Sequence, residues 1–250
     1  KGVPLVAIPT TSGSGSQATH FAVVYIENEK HSLAHKYVLP DYAIIDSSLS
    51  VSSPRNVAAS SAMDALSQAV ESIWSINSTI ESKLYASEAI KLILNFVNLA
   101  IDKKNDDALQ SISMAAHLSG KAINITKTTA PHAISYILTS DFNIAHGYAV
   151  ALLITPVAYI SFVKNDKEFN KSLDMIFKLF NCNTIDEFIK KWLNLMDSLG
   201  LHLSLKELGI CYKDLEVIVK NVNMERMKNH PVSLKNKDLK QIVNAAYEGL

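Results

Sequence analysis

Residues 126–150 read TKTTAPHAISYILTSDFNIAHGYAV, and the rest of the sequence is organised around this stretch. Pro131 favours the first turn of a helix, because the N–H that proline lacks would have no intrahelical partner there. His132 and Tyr136 follow within that helix and stand four residues apart, so we predict that they share one helical face.

The second histidine of the stretch lies fourteen residues after the first and directly precedes a glycine. His146 and Gly147 predict a loop that leads into an apolar helix over residues 148–162. A histidine early in one helix and another at the start of the next can converge on one point, and neutral imidazole is the commonest metal ligand. The two histidines therefore indicate a metal site whose other ligands come from elsewhere in the chain.

The composition excludes several classes of protein. Lys+Arg and Asp+Glu number 24 each, so no overall field favours nucleic acid or an anionic membrane. No apolar run reaches the roughly 18 residues of a spanning helix, and the first ten residues carry no cleavable signal pattern. Cys182 and Cys211 lack metal or redox spacing, as expected of thiols in a reducing cytosol. We expect a soluble, cytoplasmic, globular protein.

The first part of the chain has strand-like patterns. Short apolar or β-branched runs occupy residues 4–9, 21–27 and 42–45, and the polar residues 28–35 between the last two predict a hairpin turn. A loop of hydroxyls and glycines, residues 10–16, follows the first run. It suits either a phosphate or ribose ligand or a plain flexible turn.

From about residue 54 the apolar residues recur at helical spacing. The predicted helices cover residues 57–75, 80–101, 106–124, 129–139, 147–162, 167–180, 184–199, 204–208, 212–221 and 237–247. The sequence thus predicts a small β-containing piece, residues 1–53, followed by an all-helical domain, residues 54–250.

Two polar residues on the first long helix are candidate partners for the histidines. Asp64 and Gln68 stand four apart and share a face of an otherwise apolar helix, so they need polar partners if they are buried. Alternatively, Asp64 belongs to the N-terminal turn of its helix and Gln68 is a surface glutamine. With His132 and His146 they form a mixed oxygen and nitrogen set that suits iron(II) or zinc. Because Gln68 is a neutral ligand, we expect modest affinity.

Several motifs, in the same order along nearly the whole chain, resemble the iron-containing (group III) alcohol dehydrogenases. They are residues 9–16 (PTTSGSGS), 39–46 (LPDYAIID), 63–66 (MDAL), the two histidine regions and 229–232 (NHPV). The resemblance implies a mainly α fold: the all-helical C-terminal domain of the dehydroquinate synthase-like fold, preceded by the tail of an α/β dinucleotide-binding domain.

The same resemblance implies reduction of a small aldehyde to an alcohol by NAD(P)H, with a divalent metal, Fe²⁺ or Zn²⁺, polarising the carbonyl. Residues 128–136 (TTAPHAISY) are most similar to the phosphonoacetaldehyde reductase branch, which forms 2-hydroxyethylphosphonate. The implied catalytic residues are Tyr136, as a hydrogen-bond donor to substrate, and Lys127, as a cation for the phosphonate. The implied cofactor-binding residues are Thr10, Thr11, Ser14, Lys30 and Leu49. The expected partners are the small substrate and a second copy in a homodimer, with no nucleic acid or membrane.

Three departures from the family pattern keep alternatives open. The family's Gly-Gly-Gly-Ser pyrophosphate loop is absent, Gln68 stands where a metal-binding histidine is usual, and Tyr136 stands where many members have another histidine. The alternatives are a metal-independent reductase of the maleylacetate type, a glycerol-type dehydrogenase, and a non-catalytic helical fragment.

Overall fold

The computed structural model describes residues 2–26 and 29–250, with the side chains of residues 25–32 outside the description. Helices make up the chain from residue 55 onward. They are α1 Arg55–Trp74, α2 Ile80–Lys103, α3 Asp106–Thr126, α4 Ala130–Ser140, α5 His146–Val163, α6 Lys167–Leu179, α7 Ile185–Ser198, α8 Asp214–Lys220 and α9 Asn236–Glu248. This bundle confirms the predicted fold class.

Side-chain caps explain why several helices begin where they do. The Thr79 hydroxyl accepts a hydrogen bond from Ser82 N at the start of α2, and the Ser82 hydroxyl accepts one from Thr79 N, which makes a capping box. Asn105 caps α3 by accepting from Ala108 N at 2.9 Å. Asp166 does the same for the first turn of α6. Each cap satisfies backbone N–H groups that have no partner within the helix.

The core lies around α1 and α5, which pack against each other. From residue 62 to its end α1 is buried all round, including Trp74. Helix α5 is also apolar all round, as expected of a central helix. By length and hydropathy alone α2 and α5 are long and apolar enough to cross a membrane, which the sequence analysis did not anticipate. A buried core helix passes the same test, and 67% of the α5 window is buried in the bundle.

Two small sheets precede the helices. Strand β1 (Val6–Ala7) pairs in parallel with β4 (Tyr42–Ala43), and β2 (Phe21–Ile26) pairs antiparallel with β3 (Glu29–Ala34). The predicted hairpin turn over residues 28–35 is wrong, because most of it forms β3. Its sequence, EKHSLA, lacks β-branched residues, so its extended form comes from pairing with β2. The first strand is exposed in this structure, although its residues are apolar.

The hydroxyl and glycine loop at residues 10–16 is packed against the helices. A Cβ on Gly15 would lie 2.5 Å from the Gly120 Cα on α3, and one on Gly13 would lie 2.8 Å from Ser61 on α1. Gly15 also adopts a positive φ of 62°. These glycines therefore permit close contact with the bundle, in addition to giving the loop its turn.

One prediction near the C-terminus is wrong, because residues 204–208 form turns and not a helix. His230 is buried between Trp74 and Phe169, with its Nε2 2.9 Å from Ser161 Oγ. Packing between distant segments decides both features.

Candidate functional site

A cavity of about 750 Å³ opens where α1, α4 and α5 meet the β2–β3 hairpin. A 3-10 turn at Met224–Met227 closes another side of it. All four predicted metal ligands line this cavity: Asp64, Gln68, His132 and His146. Three helices, α1, α4 and α5, thus carry the residues that the sequence analysis grouped together.

The predicted ligands lie close enough to hold one ion. Donor atoms of Asp64, His132 and His146 all lie within 4.8 Å of one another. The first two are buried and His146 is half-buried, so the group lies at the inner end of the cavity. Oxygen and imidazole donors grouped in this way are the kind of ligands that zinc takes in proteins.

Two buried oxygens in this group are incompletely satisfied by the described residues. Gln68 Oε1 has no hydrogen-bond donor, and Asp64 Oδ1 has only the 3.3 Å contact with His132 Nε2. The Gln68 amide nitrogen faces the Ser14 carbonyl at 3.4 Å, and a carbonyl only accepts, so the amide oxygen points the other way. Buried acceptors without partners cost about 1–3 kcal/mol each. A cation bound by both oxygens would remove that cost, so these residues fit a divalent metal.

A buried carboxylate on α1 orients His132. Glu71 is fully buried, and its Oε2 accepts a hydrogen bond from His132 Nδ1. Its Oε1 accepts from both Thr129 N and Thr129 Oγ1 at 2.8 Å, and Trp74 Nε1 donates to that hydroxyl at 2.8 Å. Carboxylates that hold the far nitrogen of a ligand histidine fix its tautomer and ring orientation. With Nδ1 protonated, Nε2 is the nitrogen that faces Asp64, at 3.3 Å.

Sequence analysis did not single out Glu71, although its position carried a signal. It stands three residues after Gln68 and seven after Asp64, so the three polar side chains share one face of an apolar helix. A third buried polar residue on that face indicates a hydrogen-bonded network.

The contact between Asp64 and His132 shifts the pKa of both side chains. Burial acts to raise the pKa of Asp64, but the polar contact with His132 and the charges of His146 and His132 outweigh it, so this pKa lies below its usual value. Burial acts to lower the pKa of His132, yet the charges and contacts of Glu71 and Asp64 raise it well above its ordinary value. The carboxylates of Glu71 and Asp64 thus create a negative electrostatic potential around His132, which favours a cation.

Gly147 allows α5 to approach α1. A Cβ at this position would lie 2.2 Å from the Ser60 carbonyl oxygen and 2.6 Å from the Asp64 Cβ. The start of α5 therefore packs directly on α1, next to one predicted ligand. The neighbouring His146 is brought to the cavity by this close contact, which only glycine permits.

The outer part of the cavity contains both predicted catalytic residues. Tyr136 is stacked on His146, with ring centroids 5.9 Å apart and an interplanar angle of 12°. The guanidinium of Arg226 lies over the Tyr136 ring, 4.5 Å from its centroid. Lys127 lines the same cavity from the link between α3 and α4. Sequence analysis missed Arg226, which lies 90 residues after Tyr136 and has no motif around it.

The predicted cofactor-binding residues are less closely grouped. Ser14 lines the cavity and its backbone carbonyl contacts Gln68. Thr10, Thr11 and Leu49 are exposed and do not line this cavity. The Lys30 side chain lies outside the described residues. Of the four predicted cofactor-binding residues that the structure describes, only Ser14 lines the cavity that holds the predicted metal ligands.

Two polar residues of α3 that precede Lys127 in the sequence do not line the cavity. Lys121 lies 4.0 Å from the centroid of the Tyr85 ring, a cation–π contact outside the cavity. Asn124 accepts hydrogen bonds through Oδ1 from the backbone and ring of His20, so it anchors the start of the β2–β3 hairpin.

Family models match both parts of the chain. The model of the Fe-containing alcohol dehydrogenase family, C-terminal, matches residues 58–247, and that of the iron-containing alcohol dehydrogenases matches residues 1–47. Long-chain-alcohol dehydrogenase 1 of Geobacillus thermodenitrificans is 30% identical over the whole chain, which spans 65% of that enzyme. The phosphonoacetaldehyde reductase of Streptomyces viridochromogenes is 37% identical over 61% of this chain and 39% of its own length. The chain thus spans less than two thirds of these curated relatives.

A solved enzyme structure has the same fold as this chain. The sulfoacetaldehyde reductase of Bifidobacterium kashiwanohense, in complex with NAD⁺, superposes with a TM-score of 0.87 and 28% identity. The match covers 98% of this chain and 65% of that one. The relative aligned over the whole chain and this superposition agree with the family model that matches most of the helical bundle. The chain belongs to the iron-containing alcohol dehydrogenase family.

Proposed function

We propose that this protein is an NAD(P)H-dependent oxidoreductase that reduces a small aldehyde to an alcohol at a divalent metal site. The observation that carries the proposal is the group of Asp64, Gln68, His132 and His146 in one cavity, where the buried Gln68 Oε1 lacks a donor among the described residues and the buried Asp64 Oδ1 faces His132 Nε2 at 3.3 Å. Family membership supports the reaction type.

The metal would be held by Asp64, Gln68, His132 and His146. When bound, it supplies Lewis-acid polarisation of the substrate carbonyl, and the nicotinamide supplies the hydride. The donor set of one carboxylate, one amide oxygen and two imidazoles suits Fe²⁺ or Zn²⁺. Gln68 contributes no charge, so we expect weaker binding than by a site with three histidines.

The protein's own residues orient the substrate. Tyr136 lies beside His146, where its hydroxyl can donate a hydrogen bond to the substrate. Ser14 lines the cavity opposite α4, and we assign it to the nicotinamide side, with Thr10, Thr11, Lys30 and Leu49 toward the rest of the nucleotide. The wall of the hairpin, which includes Phe21 and Val23, would limit the access of water to the reacting carbon.

Phosphonoacetaldehyde, reduced to 2-hydroxyethylphosphonate, is the substrate we favour. The support is the similarity to the Streptomyces phosphonoacetaldehyde reductase and the position of Lys127 at the cavity. A phosphonate dianion needs cations or N–H donors, and Lys127 supplies an ammonium. We also propose that the chain has two domains, residues 1–53 and 54–250. The protein would form a homodimer and lie in the cytoplasm.

A metal-independent reductase on the same scaffold is the second candidate. It is favoured by Gln68, a weak ligand at a position where the family usually has histidine. In that enzyme Tyr136 and His132 would polarise the carbonyl by hydrogen bonding.

The test is oxidation of NADH and NADPH with phosphonoacetaldehyde and with simple aldehydes, before and after chelation. We expect reduction that chelator removes and added Fe²⁺ or Zn²⁺ restores. Activity that survives complete removal of metal would favour the second candidate. Failure to reduce any aldehyde under either condition would refute the proposed function.

A further inference from the structure

We propose that Thr129 is a positioning residue for the metal site, because its hydroxyl holds the Glu71 carboxylate where that carboxylate can orient the predicted ligand His132. Trp74 fixes the direction of the hydrogen bond through which Thr129 does this. The proposal rests on the proposed function for the metal, whereas the hydrogen-bonded network itself is testable without metal and without activity.

The first support is that Thr129 does not use its side chain for the local role that threonine usually has at this position. Thr129 is the N-cap of α4, and its hydroxyl makes no capping hydrogen bond to that helix. At an N-cap, a threonine hydroxyl normally accepts from a backbone N–H two or three residues later. Here Thr129 Oγ1 lies 2.8 Å from Glu71 Oε1 on α1 instead. The side chain is therefore committed to the carboxylate and not to the start of its own helix.

The second support is the way in which Glu71 joins the start of α4 to the ligand histidine. The backbone N–H and the hydroxyl of Thr129 both donate to Glu71 Oε1, each at 2.8 Å. Glu71 Oε2 accepts from His132 Nδ1, which is on the first turn of the same helix. Because a carboxylate is planar and rigid, the position of Oε1 sets the position of Oε2. Thr129 thus acts on His132 through Glu71.

The third support is Trp74, which permits one direction only. Its Nε1 donates to Thr129 Oγ1 at 2.8 Å, and an indole N–H cannot accept. The single hydroxyl proton of Thr129 therefore points away from Trp74, and Glu71 Oε1 is the acceptor it faces. The indole is in turn held by the rings of Phe169 and His230, whose centroids lie 5.6 and 6.0 Å from its own. The direction of the Thr129 hydrogen bond is thus built into the core.

Burial prevents water from replacing any member of this network. Glu71 is fully buried, and Thr129 and Trp74 are each 1% exposed. Every polar side-chain atom of the three has a hydrogen-bond partner. Loss of the Thr129 hydroxyl would leave the Trp74 N–H without its acceptor and Glu71 Oε1 with one donor in place of two. The carboxylate would then be free to shift away from His132.

The experiment compares Thr129→Val, which keeps the shape of the side chain and removes its hydroxyl, with Thr129→Ser, which keeps the hydroxyl. Binding of Zn²⁺ and Co²⁺ is measured by competition with a chelator of known affinity, and the visible absorption of bound Co²⁺ reports its coordination. Thr126→Val is the matched control, because Thr126 is a fully buried threonine nearby whose hydroxyl bonds to Ser72 and to backbone oxygens. Trp74→Phe removes the donor that fixes the direction.

We expect Thr129→Val to weaken metal binding about tenfold, the lower end of the loss when the partner of a ligand histidine is removed, because the Thr129 N–H still holds Glu71. It should also change the Co²⁺ absorption. Thr129→Ser and Thr126→Val should bind metal as the wild type does, and Trp74→Phe should show a smaller loss than Thr129→Val. Wild-type affinity in Thr129→Val, an equal loss in Thr126→Val, or no recovery in Thr129→Ser would overturn the proposal. Wild-type affinity in Trp74→Phe would overturn the role of Trp74.

A measurement on the metal-free protein separates this proposal from the proposed function. Exchange of the His132 ring N–H proton with water is followed by NMR, with the signal assigned from its absence in His132→Ala. We expect faster exchange in Thr129→Val than in the wild type and Thr126→Val, because a displaced carboxylate protects that proton less. Equal exchange rates would overturn the proposal. If the wild type binds neither ion, the metal part of the proposed function fails and the exchange comparison alone decides the role of Thr129.

Discussion

Substitution of Glu71 tests how the predicted metal ligand His132 is oriented. Glu71→Gln preserves size, but an amide has one accepting oxygen where the carboxylate has two. Thr129 donates twice to Glu71 Oε1 at 2.8 Å, and His132 Nδ1 donates to Oε2. If the new oxygen faces Thr129, the new NH₂ faces His132 and requires Nδ1 to accept. The ring proton then moves to Nε2, the nitrogen that would bind the metal.

The size of the effect follows from that change of tautomer. Loss of an orienting partner of a metal ligand typically lowers metal affinity 10- to 100-fold, or about 1.4–2.8 kcal/mol. If the amide turns the other way, two donors of Thr129 lose their acceptor, which costs about 1–3 kcal/mol of folding stability because the site is fully buried. The variant therefore loses metal affinity or stability in either orientation.

The assay is a competition titration of Zn²⁺ or Co²⁺ against a chelator of known affinity, with denaturant unfolding of the metal-free protein. Ser67→Ala is the control, because Ser67 is buried on the same helix and its hydroxyl has no partner among the described residues. Wild-type metal affinity and wild-type stability in Glu71→Gln would refute the orienting role of Glu71.

Three other changes have expected outcomes. Lys127→Ala should raise KM for phosphonoacetaldehyde far more than for simple aldehydes; equal effects in steady-state kinetics would remove Lys127 from substrate recognition. Gly147→Ala should destabilise the protein by about 1–3 kcal/mol and reduce its metal content, because a Cβ would lie 2.2 Å from Ser60 O; an unchanged melting temperature would contradict this contact. His230 has its pKa lowered by burial to about 3, so as pH falls below the unfolded value of about 6.5 the unfolded state takes the proton first. Stability should fall by about 2 kcal/mol between pH 6.5 and pH 5, less steeply in His230→Asn, and identical pH profiles in denaturant unfolding would refute this.

Local sequence signals were sufficient to predict most of the helices. Caps such as Thr79 and Asn105 and the apolar spacing of α2 and α3 depend on residues within one turn of each other. The predicted metal ligands were grouped for a similar reason: Asp64 and Gln68 share one helical face, and Pro131 and Gly147 mark the helix starts that carry the two histidines. Their convergence in one cavity still required the structure.

Other features depend on contacts between distant segments. Strand β3 is polar and becomes extended by pairing with β2, and His230 is buried because α1 and α6 surround it. Arg226 reaches Tyr136 through a turn that Asn229 ties to Thr128, about a hundred residues earlier. No local pattern around Arg226 encodes that approach.

The most direct test of the central claim is the metal content of the purified protein, prepared anaerobically and measured by elemental analysis. We predict close to one equivalent of iron or zinc in the wild type and its loss in His132→Ala. A wild-type protein that holds no metal, even after incubation with Fe²⁺ or Zn²⁺, would contradict the metal site and make hydrogen-bond donors such as Tyr136 the source of carbonyl polarisation.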